Sequence, residues 1–339
     1  MRVMLVAAGD SLMFWRRNAS LQPILAGIFT VGLLTLGVKA IAFGKELVVA
    51  QIFGTGDVMD ALVIAFLLPS FLAAVIGGEI PHALLPIYNK FRAGGERAEA
   101  DRLAVNTVWM TVGVLVVLAL LLVPLAPLIL PAMASNFGAE KLELTRSLFV
   151  AMLPFTVFNG VSFVFVLLLQ AHKKFALAAV SPAVVPLVTL LFLGFGYERW
   201  GTEAFVAGLL TGSALQVAIL CRGFRACCQR SVWALSRPGK FELTILKKTV
   251  PLAAGGMVMY GTTLVDSAMA ALLPAGSVAV LGYADRLCMV VLMLVATAVG
   301  EVLLPYFSDR VAVRDFPGLR ALLFKFAGLI AGAMVPVVV

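Results

Sequence analysis

Nine apolar runs, at roughly 24–53, 58–88, 103–131, 144–170, 175–196, 203–221, 244–273, 278–307 and 320–339, leave this chain little choice of fold. Each is long enough to cross about 30 Å of hydrocarbon as a helix, which keeps every backbone polar group hydrogen-bonded inside its own segment. The sequence therefore predicts an all-α membrane protein, a polytopic helix bundle. Composition points the same way: 62% of the residues are hydrophobic and 13% charged, a balance that no soluble domain tolerates.

A formal net charge of +8 would suit a nucleic-acid partner, but the placement of the basic residues excludes one. With a cytoplasmic amino terminus, the inside segments carry 20 of the 26 Lys and Arg residues and the outside segments carry three, Lys141, Arg146 and Arg199. Such positive-inside asymmetry fixes the topology, and it sets the basic loops against anionic cytoplasmic lipid. Residues 1–22 read as a cytoplasmic tail or interfacial helix, because Met1–Ala8 is too short for a signal-peptide core with a cleavage site. Residues 222–243 form the longest basic loop, contain Trp233, and suit amphipathic docking on the membrane surface. Cys221, Cys227, Cys228 and Cys288 show no metal-ligand spacing, and three of them face the reducing cytoplasm, so no disulfide is expected.

Three cations remain within spans: Lys39, Lys45 and Arg286. An ionisable side chain at membrane depth costs a few kcal/mol and usually faces a bundle interior or a watery cavity. On the first span Lys39 and Glu46 are seven apart and share a face, with Lys45 about 120° around from Lys39. Water at the outer interface is the alternative setting for Lys45 and Glu46. In the eighth span Asp285 and Arg286 either pair between helices, let the arginine snorkel to the surface, or serve a functional cavity. The second span starts at Asp60 and is interrupted at Pro69 and at Gly77-Gly78-Glu79-Ile80-Pro81-His82. Interruptions of this kind line a substrate path or simply bend the helix near its end. In the seventh span Thr262 and Asp266 are four apart on one face, fit to hold a small hard cation or to hydrogen-bond each other.

An internal parallel appears at an offset of about 220 residues. Gly54-Thr55-Gly56-Asp57-Val58 matches Pro274-Ala275-Gly276-Ser277-Val278, and Leu84-Leu85-Pro86-Ile87-Tyr88-Asn89 matches Leu303-Leu304-Pro305-Tyr306-Phe307-Ser308. Many secondary transporters are built by such duplication. The expected layout is a cytoplasmic segment 1–22, a first six-span half 23–221, a linker 222–243, and three spans of a second half at 244–339. A duplicated six-span unit implies at least twelve spans, so the sequence is expected to lack the end of its second half.

At Lys39-Ala-Ile-Ala-Phe-Gly-Lys45-Glu46-Leu-Val-Val-Ala-Gln-Ile-Phe-Gly54, Asp60-Ala61 and Ala65-Phe66-Leu-Leu-Pro69 the chain resembles the MurJ/MviN family of lipid II flippases. The likeness continues at Gly276-Ser277-Val278, Tyr283-Ala284-Asp285-Arg286-Leu287 and Val302-Leu303-Leu304-Pro305. The resemblance implies the fold of the multidrug/oligosaccharidyl-lipid/polysaccharide exporter superfamily, two six-span halves around a V-shaped cavity. It implies that Lys39, Lys45 and Arg286 bind the pyrophosphate of an undecaprenyl-linked saccharide, with Glu46, Asp60 and Asp285 as acidic partners. Asp266, with Thr262, resembles a sodium-coordinating position of some members. Two departures stand out. Lysine replaces the family's usual arginine at both first-span positions, giving a point charge in place of a planar fork. Ser70-Phe71-Leu72-Ala73-Ala74 also lacks the arginine usual after the second-span proline.

The expected activity is transport without catalysis: flipping of lipid II between leaflets of the bacterial cytoplasmic membrane, by a monomer without cofactor. Sodium, protons or the membrane potential supply the energy, since no Gly-x-x-x-x-Gly-Lys-Ser/Thr phosphate loop is present. The rivals are a flippase for exopolysaccharide or O-antigen units, a drug or cation antiporter, and a polyprenyl-phosphate enzyme. The enzyme is disfavoured because only His82 and His172 occur and no Asp-Asp or Asp-x-Asp pair exists.

Overall fold

The computed structural model describes residues 22–228 and 239–289 of the chain, with side chains from residue 32 onward. Its larger compact unit spans Leu34–Leu287 and contains the helix bundle. The helices are α1 (Gln22–Phe53), α2 (Asp57–Leu72), α3 (Glu79–Ala93), α4 (Arg97–Met133), α5 (Ala139–Ala171), α6 (Phe175–Val180), α7 (Val184–Trp200), α8 (Thr202–Arg225) and α9 (Lys240–Ala270). Residues 277–289 are also helical and are called α10. No strand occurs among the described residues.

Five helical stretches are long and apolar enough to cross a membrane: Asp57–Ala93, Arg97–Met133, Ala139–Ala171, Phe175–Trp200 and Thr202–Arg225. They coincide with the second to sixth expected spans. α1 and α9, of 32 and 31 residues, cover the first and seventh. The eighth begins in α10; its remainder, the ninth, Glu301 and the Leu303–Ser308 motif lie outside the described residues.

Two apolar clusters hold the bundle. One joins the end of α3 and start of α4 to the ends of α5 and α8 and the start of α9, through Tyr88, Leu103, Leu169, Phe224 and Ile245. Lys90, Arg92, Arg97, Lys173, Lys174, Arg222, Arg225 and Lys240 flank these helix ends, so one end of the bundle is basic. The other cluster joins the opposite ends through Met59, Leu130, Phe149, Met152, Leu193 and Val278. Large apolar side chains such as Leu128, Phe195, Val258 and Met259 point outward, as a lipid-facing surface requires.

Small residues set the closest approaches. On α8, Gly208 and Gly212 lie one turn apart against α7, where a Cβ would stand 2.8 Å from the Thr189 Cα and 2.9 Å from the Val185 Cα. Close backbone approach of this kind is how helices associate where lipid removes the hydrophobic drive. The interruption after Pro69 is a π-type turn, Ala73–Gly77, and the path resumes at once as α3. Thr156 on α5 donates to the Pro69 carbonyl at 3.1 Å, satisfying backbone in the disturbed region. His82 beyond it is exposed. Pro124, Pro127 and Pro131 lie inside α4, which ends at Met133, slightly beyond the expected end.

The linker is shorter than expected. α8 runs through Arg222 to Arg225, and α9 starts at Lys240, so helix consumes both ends of 222–243. Buried Glu242 explains the early start: it accepts from the Gly239 N–H at 2.8 Å and from the Asn106 amide on α4 at 2.7 Å. The first is a capping-box contact that sets the helix start. Among the described residues every buried side-chain nitrogen and oxygen has a hydrogen-bond partner.

Candidate functional site

α1 carries Lys45 and Glu46 eight and seven residues before its end, about 12 Å along the axis. Their side chains are only 16% and 19% exposed and form an ion pair at 2.5 Å. Arg286 of α10 reaches the same carboxylate with its Nη1, so Glu46 is shared by two cations. Lys45 also stands 5.8 Å from the centroid of the Phe205 ring at the start of α8. Two cations against one carboxylate leave this group at +1. The cluster sits in the wall of the bundle, short of the helix end.

Arg286 therefore pairs with Glu46, and the tandem pairing with Asp285 does not form; Asp285 is exposed. Asp285 and Arg286 project about 100° apart on α10, and Arg286 turns to α1. Lys39, six residues before Lys45, makes no ion pair among the described residues. It lies about 9 Å along α1 from Lys45, and with it the local charge is +2.

Asp60 sits elsewhere. It is 1% exposed at the non-basic end, and it fastens α2 to the first turn of α10. Its carboxylate accepts the backbone N–H of Gly276 at 2.7 Å and of Ala279 at 2.8 Å. Lys141 of α5 donates to it at 2.8 Å and to Asp57 at 2.7 Å, with the ammonium 4.0 Å from the Phe137 ring centroid. An anion at a helix N-terminus meets unsatisfied N–H groups and the positive end of the dipole, and the lysine completes its neutralisation.

Tyr283 adds a hydrogen bond from its hydroxyl to the Gly54 carbonyl at 3.0 Å. Gly276, at φ +91°, packs so closely that a Cβ would lie 2.2 Å from the Thr55 carbonyl oxygen. The two turns singled out by the internal parallel thus touch each other. A cavity of about 530 Å³ opens beside this clasp, lined in part by Asp57, Asp60, Lys141, Asn136 and Ala271.

Lys141 was missed by sequence reasoning, although the signal existed: a lone lysine in the segment between two spans, opposite Asp57 and Asp60 one helical turn apart. Thr262 and Asp266 are both exposed on α9, and the Thr262 hydroxyl donates to the Met259 carbonyl at 3.2 Å. Among the described residues Asp266 joins no group of three His, Cys, Asp or Glu ligands.

Comparison with known proteins places this architecture. Residues 49–339 match the family model described as lipid II flippase MurJ. A probable lipid II flippase MurJ of Bdellovibrio bacteriovorus is 26% identical over 304 residues, covering 85% of this chain and 56% of that protein. One from Rhizobium tropici is 28% identical over 293 residues, covering 84% and 55%. The chain thus spans little more than half the length of these relatives. Among solved structures, a lipid II flippase MurJ in an inward closed conformation superposes with TM-score 0.66 at 21% identity, over 86% of this chain and 59% of that one. An inward-facing multidrug resistance MATE family transporter of the MOP superfamily gives TM-score 0.68 at 15% identity, over 91% and 69%. Helices of membrane-crossing length, matched to one family across most of their sequence, make this chain a multi-pass membrane protein of the lipid II flippase MurJ family.

Proposed function

We propose that the protein moves an undecaprenyl-pyrophosphate-linked saccharide, lipid II, from the inner to the outer leaflet of the bacterial cytoplasmic membrane. The observation that carries this reading is the cluster of Lys45, Glu46 and Arg286, which keeps a net positive charge within membrane-crossing helices. An uncompensated cation there costs free energy unless an anion visits it, and a pyrophosphate on a lipid carrier is an anion that travels at that depth. Lys39 adds a further positive charge about 9 Å along α1. Glu46 holds both cations while the site is empty and exchanges them for phosphate oxygens when substrate enters.

The basic end is cytoplasmic, by the positive-inside rule, and the amino terminus lies on that side. The Asp60–Lys141–α10 clasp then closes the outer end, so substrate is admitted from within, and transport requires the clasp to open. Residues 23–221 form a first six-span half and the chain from residue 244 belongs to a second, related by the duplication whose turns meet at Thr55 and Gly276. Asp266 and Thr262 contribute to a coupling-ion site for sodium or protons, and the protein acts as a monomer.

A second reading is supported by the lysines at 39 and 45 and by the uncharged Ser70–Ala74 stretch: the saccharide is another lipid-linked unit, such as an exopolysaccharide repeat. Expression of the gene in a bacterium depleted of its own lipid II flippase tests the choice. Rescue of growth assigns lipid II; failure by a stably inserted protein, together with rescue of an exopolysaccharide-flippase mutant, assigns the other.

A further inference from the structure

At the basic end, three helix termini converge on a group of side chains that the transport reading does not use. Asp101 lies in the first turns of α4, His172 follows α5, and Cys228 follows α8. One ligand atom from each lies within 4.8 Å of the other two. Asp101 is buried, and His172 and Cys228 are half-buried. The group is held in shape. Tyr88, fully buried on α3, meets His172 Nε2 through its hydroxyl at 2.6 Å and so fixes the plane of the imidazole. The His172 ring also packs edge-on against Phe224, with centroids 5.9 Å apart. The Asp101 carboxylate lies beside the Cys228 thiol. Adjacent Cys227 is engaged separately, with its Sγ 3.4 Å from the Gly223 carbonyl oxygen.

We propose that Asp101, His172 and Cys228 bind a zinc-like divalent ion that staples the basic ends of α4, α5 and α8. A tetrahedral zinc holds sulfur at about 2.3 Å and nitrogen or oxygen at about 2.0–2.2 Å, so its ligands stand about 3.3–3.7 Å apart. Closing a triangle of 4.8 Å to that size takes a contraction of about 1 Å, within reach of side chains at helix ends. One thiolate, one imidazole and one carboxylate form a donor set that suits zinc or cobalt and is too soft for magnesium or calcium. The fourth position is open to water. On binding, the metal–sulfur bond replaces the Cys228 S–H bond and one proton leaves to solvent; no redox change occurs. Arg92 and Lys174 face the group as positive neighbours of His172 and oppose a cation. The Arg92 guanidinium, however, is directed to the Ala171 carbonyl at 3.1 Å, and Lys174 is exposed. The three ligands are 71 and 56 residues apart in sequence, so an ion there closes long stretches of chain and ties down the start of the basic linker.

The test uses the full chain, purified in detergent, stripped with chelator and titrated with cobalt(II) alone. The expected result is one equivalent bound with a thiolate-to-cobalt charge-transfer band, which zinc displaces. Cys228→Ser abolishes the band, His172→Gln weakens binding by at least tenfold, and Cys288→Ser leaves both unchanged. In the unmodified chain, which needs no variant to fold, zinc slows alkylation of Cys228 as read by mass spectrometry. Absence of the thiolate band, its persistence in Cys228→Ser, or Cys228 alkylation at equal rates with and without zinc would overturn the proposal.

Discussion

Replacing Asp60 by asparagine tests the clasp with almost no change in shape. In the parent, one carboxylate oxygen takes the Gly276 N–H and the Lys141 ammonium, and the other takes the Ala279 N–H. An asparagine has one acceptor oxygen, so its amide nitrogen must face a donor. If the oxygen serves Gly276 and Lys141, the Ala279 N–H is left buried and unsatisfied, which costs about 1–3 kcal/mol. The two remaining bonds lose charge assistance, roughly half their strength. Together the clasped arrangement weakens by about 3 kcal/mol, a shift of roughly a hundredfold in its equilibrium with an open one. The assay places cysteines at Thr55 and Ala275 in a background without native cysteines and measures cross-linking by a short bifunctional maleimide. These sites are adjacent, since Gly276 packs on the Thr55 carbonyl. Asp60→Asn should cross-link more slowly and melt at a lower temperature. Parent-like cross-linking together with a parent-like melting point would refute the claim that Asp60 holds this end closed.

Other perturbations draw on the same geometry. Gly276→Ala combines a left-handed φ of +91° with a Cβ 2.2 Å from a carbonyl oxygen; strain of at least about 1–2 kcal/mol should lower the melting point and slow the same cross-link. Glu46→Gln removes the carboxylate shared by Lys45 and Arg286, and should tighten binding of undecaprenyl pyrophosphate severalfold while slowing its transport, as measured in vesicles loaded with labelled lipid. Asn106→Leu takes a donor from buried Glu242; a loss of about 1–3 kcal/mol should appear as faster hydrogen exchange in the first turns of α9.

The helical character of the apolar runs was legible because lipid leaves the backbone no alternative to helix, while the helix limits were not, since α4 and α5 begin in the polar residues before their apolar runs. The charged sector of α1 was legible, but not its pairing: Lys39 and Glu46 share a face by spacing, whereas Glu46 pairs with Lys45. Partnerships across the chain were not legible. Arg286 stands beside Asp285 in sequence but reaches Glu46, 240 positions away, because the fold brings α1 to its side of α10. The role of Asp60 was hidden because two of its three partners are backbone N–H groups 216 and 219 positions away, and a backbone donor leaves no trace in residue type. Asp101, His172 and Cys228 show no ligand spacing because each closes a different helix end. Only packing of α4, α5 and α8 brings them together.

Selection of a lipid by its pyrophosphate at a positively charged site is the central claim, and binding measures it directly. The protein, reconstituted in nanodiscs, would be presented with undecaprenyl-pyrophosphate-linked disaccharide and, separately, with uncharged undecaprenol. Retention of the pyrophosphate lipid alone is predicted, with affinity reduced more than tenfold in the Lys45→Gln, Arg286→Gln double variant. Equal retention of both lipids, or unchanged affinity in a folded double variant, would contradict it.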